Sequence, residues 1–193
     1  MNLLKELKEA LKLIQFDKDV ISSVVGRKSA TSYGFLIIFL APILSVFISA
    51  FSYPSGIGAM FSKFLFWPLM IPFMSLAIVY FLQSFYLKKL FKVNINYLGL
   101  FRVLSYVSIV FWLIIIFFVL NLVDFTLGDN FFNLLFYFAF FVVFFFNYRF
   151  LDLVFKLKKR DLYTVILLTI FSYFIVNLIF GNLLVGDSYR LFY

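Results

Sequence analysis

Read along the chain, the rhythm of apolar and polar positions changes near residue 33. From Leu3 to Val25, the residues Leu3, Leu4, Leu7, Leu11, Ile14, Ile21 and Val25 recur at steps of three, four or seven, with lysines and acids between them. That spacing predicts an amphipathic helix. Its expected place is flat on the cytoplasmic membrane surface or against the cytoplasmic ends of a helix bundle. Residues 26–32, with Gly26, Arg27 and Lys28, read as a short turn region. Lys5, Glu6, Lys8, Glu9, Lys12, Asp17, Lys18 and Asp19 interrupt the opening stretch, so it does not read as a cleaved signal peptide.

Beyond it, polar positions nearly vanish from five blocks, at about 33–52, 64–86, 101–123, 131–151 and 162–184. Each is close to the roughly 20 residues a helix needs to cross a bilayer. The connections between them are short. The pattern therefore predicts an all-α chain, a polytopic membrane helical bundle. It has a cytoplasmic amphipathic segment over 1–32 and a five-helix transmembrane domain over 33–193.

Composition agrees. Of 193 residues, 65 % are hydrophobic and 13 % charged, too few charges to cover a soluble domain. Half of the residues from Phe131 to Phe150 are phenylalanine. The net charge of +8 does not point to nucleic acid, because the basic residues sit beside the apolar blocks, where they orient helices. Lys5, Lys8, Lys12, Lys18, Arg27 and Lys28 precede the first block. Lys88, Lys89 and Lys92 lie between the second and third, and Arg149, Lys156, Lys158, Lys159 and Arg160 surround the fourth connection. The other side holds only Lys63 and Arg190, with Asp124, Asp129 and Asp187. The positive-inside rule then predicts a cytoplasmic amino terminus and an external or lumenal carboxyl terminus. A plasma membrane is the default residence.

Inside the blocks, small and polar residues fall in stripes. Ser45, Ser49 and Ser52 follow Pro42 in the first; Pro68, Pro72, Ser75, Gln83 and Tyr86 align in the second. Asn133, Tyr137 and Asn147 share a side of the fourth, and Thr169, Tyr173 and Asn177 a side of the fifth. In hydrocarbon such residues mark helix interfaces, and helix packing is the first reading. A polar cavity for a lipid headgroup or small solute is the second. No acid lies near the middle of a block and the chain has no histidine, so the usual marks of a proton or ion path are missing.

An enzyme is not expected. The chain has no cysteine, no HExxH and no phosphate-binding GxxxxGK[ST] around Gly56 and Gly58, and Lys63 near Ser55 is a weak pair. No cofactor or metal is expected either.

The stretch opening the third block, Gly99-Leu-Phe-Arg-Val-Leu-Ser-Tyr106, stands out. Arg102 follows a basic connection and is expected to reach back to headgroups as an anchor. Gly99 is expected to end the loop or allow a close turn at the helix entrance. With the five closely spaced blocks and the basic second connection, Gly99, Phe101, Arg102 and Tyr106 resemble the Yip1-domain family of small membrane proteins. The resemblance runs from about Asp17 to the last block. It implies a five-span bundle and, for a chain with so short an amino-terminal extension, a prokaryotic-type member; it implies no catalytic residues. The function expected is a scaffold or adaptor for membrane partners, self-association or anionic lipid headgroups. Lys88, Lys89, Arg102, Arg149, Lys158, Lys159 and Arg160 are its contact candidates. A transport or lipid-handling component using Gln83, Asn147 and Asn177 is the alternative.

Overall fold

A computed structural model describes residues 3–52, 66–94, 96–123 and 129–185; the side chains of 49–52, 66, 68, 121–123, 129 and 130 are not described. The amino-terminal segment is not one helix but a hairpin, α1 (Leu3–Ile14) and α2 (Lys18–Gly26). The break lies at Gln15–Asp17. Phe16 takes a left-handed backbone, φ 60°, and the Asp17 carboxylate accepts hydrogen bonds from Asp19 N at 3.1 Å and Val20 N at 3.2 Å, capping α2. Phe16 is held in that conformation by its ring, which stacks on Phe146 with centroids 4.6 Å apart.

The bundle follows: α3 (Ala30–Ser52), α4 (Phe66–Lys89), α5 (Tyr97–Val107), α6 (Leu113–Val123), α7 (Asp129–Phe155) and α8 (Lys159–Leu184). A 3₁₀ segment, Ser108–Trp112, joins α5 to α6, and the three together form the third span. Among the described residues, five helices are long and apolar enough to cross a membrane. Four of the predicted blocks lie within observed elements that begin two to four residues earlier; of the second, 64–86, the described helix starts at Phe66 and runs on to Lys89. Asn96 caps α5, its side-chain oxygen accepting from Leu98 N at 3.1 Å, five residues before the apolar block opens at Phe101. At the far end of α5, Ser105 Oγ donates to Phe101 O at 2.6 Å and Ser108 Oγ to Leu104 O at 3.0 Å. Such back-bonding hydroxyls compete with the helical ladder, and the helix tightens to 3₁₀ at that point.

Every residue from Gly99 to Val107 is buried. A helix covered on all sides belongs at the centre, and α5 packs against α1, α2, α3, α4 and α7. The most extensive pairing joins α4 to α8. Around this centre the outer faces are apolar: Phe138, Phe141 and Phe145 on α7 and Leu167, Phe171 and Phe174 on α8 are exposed. A surface of that kind is stable against lipid and not against water. The chain is a polytopic helical membrane bundle.

Phenylalanine fills the interior by ring contact as well as by area. Phe81 stacks on Phe101 at 4.4 Å, and Phe140 lies 4.4 Å from Phe144 and 5.0 Å from Tyr173. Where α3 crosses α5 the contact is small on small. A Cβ added at Gly34 would stand 2.8 Å from Ser105 Cβ, inside contact distance, so only glycine permits this approach.

Candidate functional site

The polar chemistry gathers where the hairpin meets the third span. Three residues of α5, Gly99, Arg102 and Tyr106, fall at i, i+3 and i+7, one face of the helix. All three meet the amino-terminal segment. A Cβ at Gly99 would lie 3.0 Å from Val25 Cγ1 and 3.6 Å from Val25 O, so the missing side chain is the space α2 occupies. Arg102 Nη1 donates to Val25 O at 2.6 Å, at the carboxyl-terminal end of α2, where the helix dipole is negative. Its Nε donates to Thr31 Oγ1 at 2.8 Å on the first turn of α3. The Tyr106 hydroxyl donates to the Glu6 carboxylate on α1.

Arg102 is 4 % exposed. It does not reach back to headgroups, because the hairpin lies over it and offers a carbonyl and a hydroxyl in their place. Glu6, 2 % exposed, faces Tyr106 and also accepts from Arg27 Nη2 at 2.6 Å. Arg27 closes the cluster with a two-pronged contact to Glu9, Nη2 to Oε2 at 2.5 Å and Nη1 to Oε1 at 3.3 Å. The Glu9 carboxylate, with Tyr106 and Glu6 behind it, holds the Arg27 guanidinium above its ordinary range, against the burial that pulls it down. Both acids pair with Arg27, while the buried Arg102 is held by a carbonyl and a hydroxyl, so each guanidinium in the junction is hydrogen-bonded.

The other basic candidates stand apart from this cluster. Lys88 lies over the Tyr97 ring at 4.9 Å. Lys89, Arg149, Lys158, Lys159 and Arg160 are exposed, and the Arg160–Asp161 pair at 3.5 Å is open to solvent screening. They occupy the end of the bundle at which α4 finishes and α8 begins.

Several polar residues within the spans find hydrogen-bond partners inside the bundle, whereas the buried Ser75 Oγ has none among the described residues. Gln83 and Asn147 exchange both amide hydrogen bonds at 2.9 Å across α4 and α7. Tyr80 meets Ser108 at 2.8 Å and Tyr86 meets Ser172 at 2.6 Å. Asn177 Nδ2 donates to Tyr173 at 3.3 Å, and Trp112 Nε1 to Ile37 O at 3.0 Å. Ser45 is buried, and Pro72 is buried within α4. The side chains of Ser49, Ser52 and Pro68 lie outside the described ones, as do Gly56, Gly58, Lys63, Asp124, Asp187 and Arg190. The α7 stripe divides: Asn147 is buried, while Asn133 and Tyr137 are exposed. A strict heptad stripe drifts about 20° per repeat on a straight helix, and two repeats carry it toward lipid.

No family model, curated protein or solved structure matches this chain. Among the described residues, no group of three or more His, Cys, Asp or Glu is placed to hold a metal ion. The chain is a polytopic membrane protein, and its described residues form no evident catalytic or metal-binding constellation. Glu6, Arg27, Thr31 and Gly34 were not singled out by sequence. Each is ordinary in its local pattern, and only the fold brings it to the junction.

Proposed function

We infer that this chain is a non-enzymatic membrane scaffold or adaptor, with the hairpin and the two basic connections as its recognition face. One observation carries the reading. Gln83 pairs with Asn147 and Tyr86 with Ser172 inside the bundle, while Lys89, Arg149, Lys158, Lys159 and Arg160 are exposed near the ends of α4, α7 and α8. Exposed cations at one end suit anionic headgroups or an acidic surface on a membrane partner. By the charge bias this end is cytoplasmic. A transport role would need Gln83 and Asn147 free to line a path, and their reciprocal pairing counts against it.

The resemblance to the Yip1-domain family belongs to the same proposal. Its four residues have a shared purpose here: Gly99, Arg102 and Tyr106 receive the hairpin, and Phe101 stacks on α4. They fix the recognition face in place and do not themselves contact a partner.

The test is photo-cross-linking in native membranes from positions in the hairpin and the two basic connections. Neutralising Lys89, Lys158, Lys159 and Arg160 together should abolish a reproducible protein adduct while leaving insertion and thermal stability unchanged. Adducts that persist at full yield in that variant would refute the recognition face.

A further inference from the structure

The hairpin leaves a groove on the side of the bundle. Leu11 and Ile14 of α1 form one wall and Ile109, Leu113 and Ile116 of the third span the other, with Trp112 between them. It is open, about 380 Å³, and every lining side chain is apolar or aromatic. Trp112 turns its one polar atom away, donating to Ile37 O within the first span. The groove therefore runs along the most hydropathic of the five spans.

The exposed face of α1, the helix that forms one wall, is cationic. Lys8 and Lys12 stand one turn apart on the same side of Leu11, and both are exposed. An amphipathic helix that buries one face and presents lysines at the boundary is the arrangement that places ammonium groups at headgroup level. An apolar wall and two exposed cations on the helix that forms it specify the ligand.

We propose that this groove is a binding site for one acyl chain of an anionic glycerophospholipid, whose phosphate sits on Lys8 and Lys12. The Glu6–Arg27–Tyr106 junction sets the site, since it fixes α1 at the distance from the third span that leaves the groove open. The site deepens the reading of the basic end as a recognition face and rests on it for the level of the headgroup. The partner-binding cations of the loops are different residues, so the two readings fail separately.

The experiment uses the full chain in phosphatidylcholine vesicles doped with phosphatidylglycerol or phosphatidylcholine carrying a diazirine on one acyl chain. After irradiation, adducts are mapped by peptide mass spectrometry. The phosphatidylglycerol probe should label residues 109–116 and 11–14 in preference to the exposed stretches around Phe141 and Phe171. Lys8→Gln and Lys12→Gln, both at exposed positions, should each lower that preference by about fivefold, the effect of one lysine at an anionic surface. Ile116→Trp, which fills the groove, should suppress labelling there with either probe. Equal labelling by the two headgroups, or adducts spread evenly over every lipid-facing helix, would overturn the site. Partner capture that persists at full yield after the loop cations are neutralised, with groove labelling intact, would refute the adaptor reading alone.

Discussion

Replacing Arg102 by Met removes the guanidinium while keeping an unbranched side chain of similar reach. Two hydrogen bonds are lost, 2.6 Å to Val25 O and 2.8 Å to Thr31 Oγ1. Charge-assisted bonds of this kind contribute about 1.5–3 kcal/mol each. The guanidinium is 4 % exposed, so its removal also recovers the cost of desolvating it, and the two terms partly offset. A net loss of about 2 kcal/mol follows, and it falls on the docking of the hairpin, because both bonds lie between α5 and the segment from Val25 to Thr31. Amide hydrogen exchange in lipid nanodiscs reads this directly. Local opening of the hairpin should become about 30-fold more frequent, so the amides of α1 and α2 exchange faster by that factor. The interior amides of α4 and α8, which do not touch Arg102, should stay within about twofold of their original rates. Arg102→Lys should fall between, since an ammonium keeps the charge at the α2 carbonyl end but loses the fork that reaches Thr31 as well. Unchanged exchange in the hairpin, or equal acceleration in α4 and α8, would refute the reasoning. The first would mean that Arg102 does not hold the hairpin, the second that it supports the whole bundle.

Two further outcomes test the packing of the spans. Gln83→Leu or Asn147→Leu alone leaves a buried amide without its partner and should lower thermal stability in detergent by about 1–2 kcal/mol. The double variant should be less damaging than the sum, and simple additivity in that cycle would contradict the reciprocal pairing. Gly34→Ala places a Cβ 2.8 Å from Ser105 Cβ and should cost about 1–3 kcal/mol, with Ser105→Gly restoring most of it. A Gly34→Ala chain of undiminished melting temperature would show that α3 and α5 do not cross so closely.

Hydropathy made the five spans legible, because a continuous apolar block of bilayer length has few other uses. Their beginnings were less so. Phe101 opens the apolar run, but α5 starts at Tyr97, where Asn96 supplies the cap, a local signal that hydropathy does not weigh. The break in the amino-terminal segment was likewise written in Asp17, an N-cap residue at the point where the apolar spacing skips from Ile14 to Ile21. Reading on through that gap produced one helix where there are two. The junction was not legible at all. Glu6 and Tyr106 are 100 residues apart and Arg102 and Val25 are 77 apart, and nothing in either local pattern selects the other. Arg102 looked like an anchor because a long cation at a span entrance normally finds water. What reverses this is a tertiary fact, the hairpin covering it. Gln83 and Asn147 were each visible as polar residues in apolar spans, whereas their pairing across 64 residues belongs to the packing of α4 on α7.

The account turns on α2 lying against the Gly99 face of α5, and the chain offers a clean way to ask. It has no cysteine, so an engineered pair would have no competitor. Val25 Cγ1 lies 3.0 Å from where a Cβ at Gly99 would stand, close to what a disulfide requires. Val25→Cys with Gly99→Cys, oxidised in intact membranes and read by mass spectrometry, should form an intrachain bridge in high yield. Val25→Cys with Phe141→Cys, on the lipid-facing side of α7, should form none. A Val25–Gly99 pair that stays reduced in correctly inserted protein would contradict the docked hairpin.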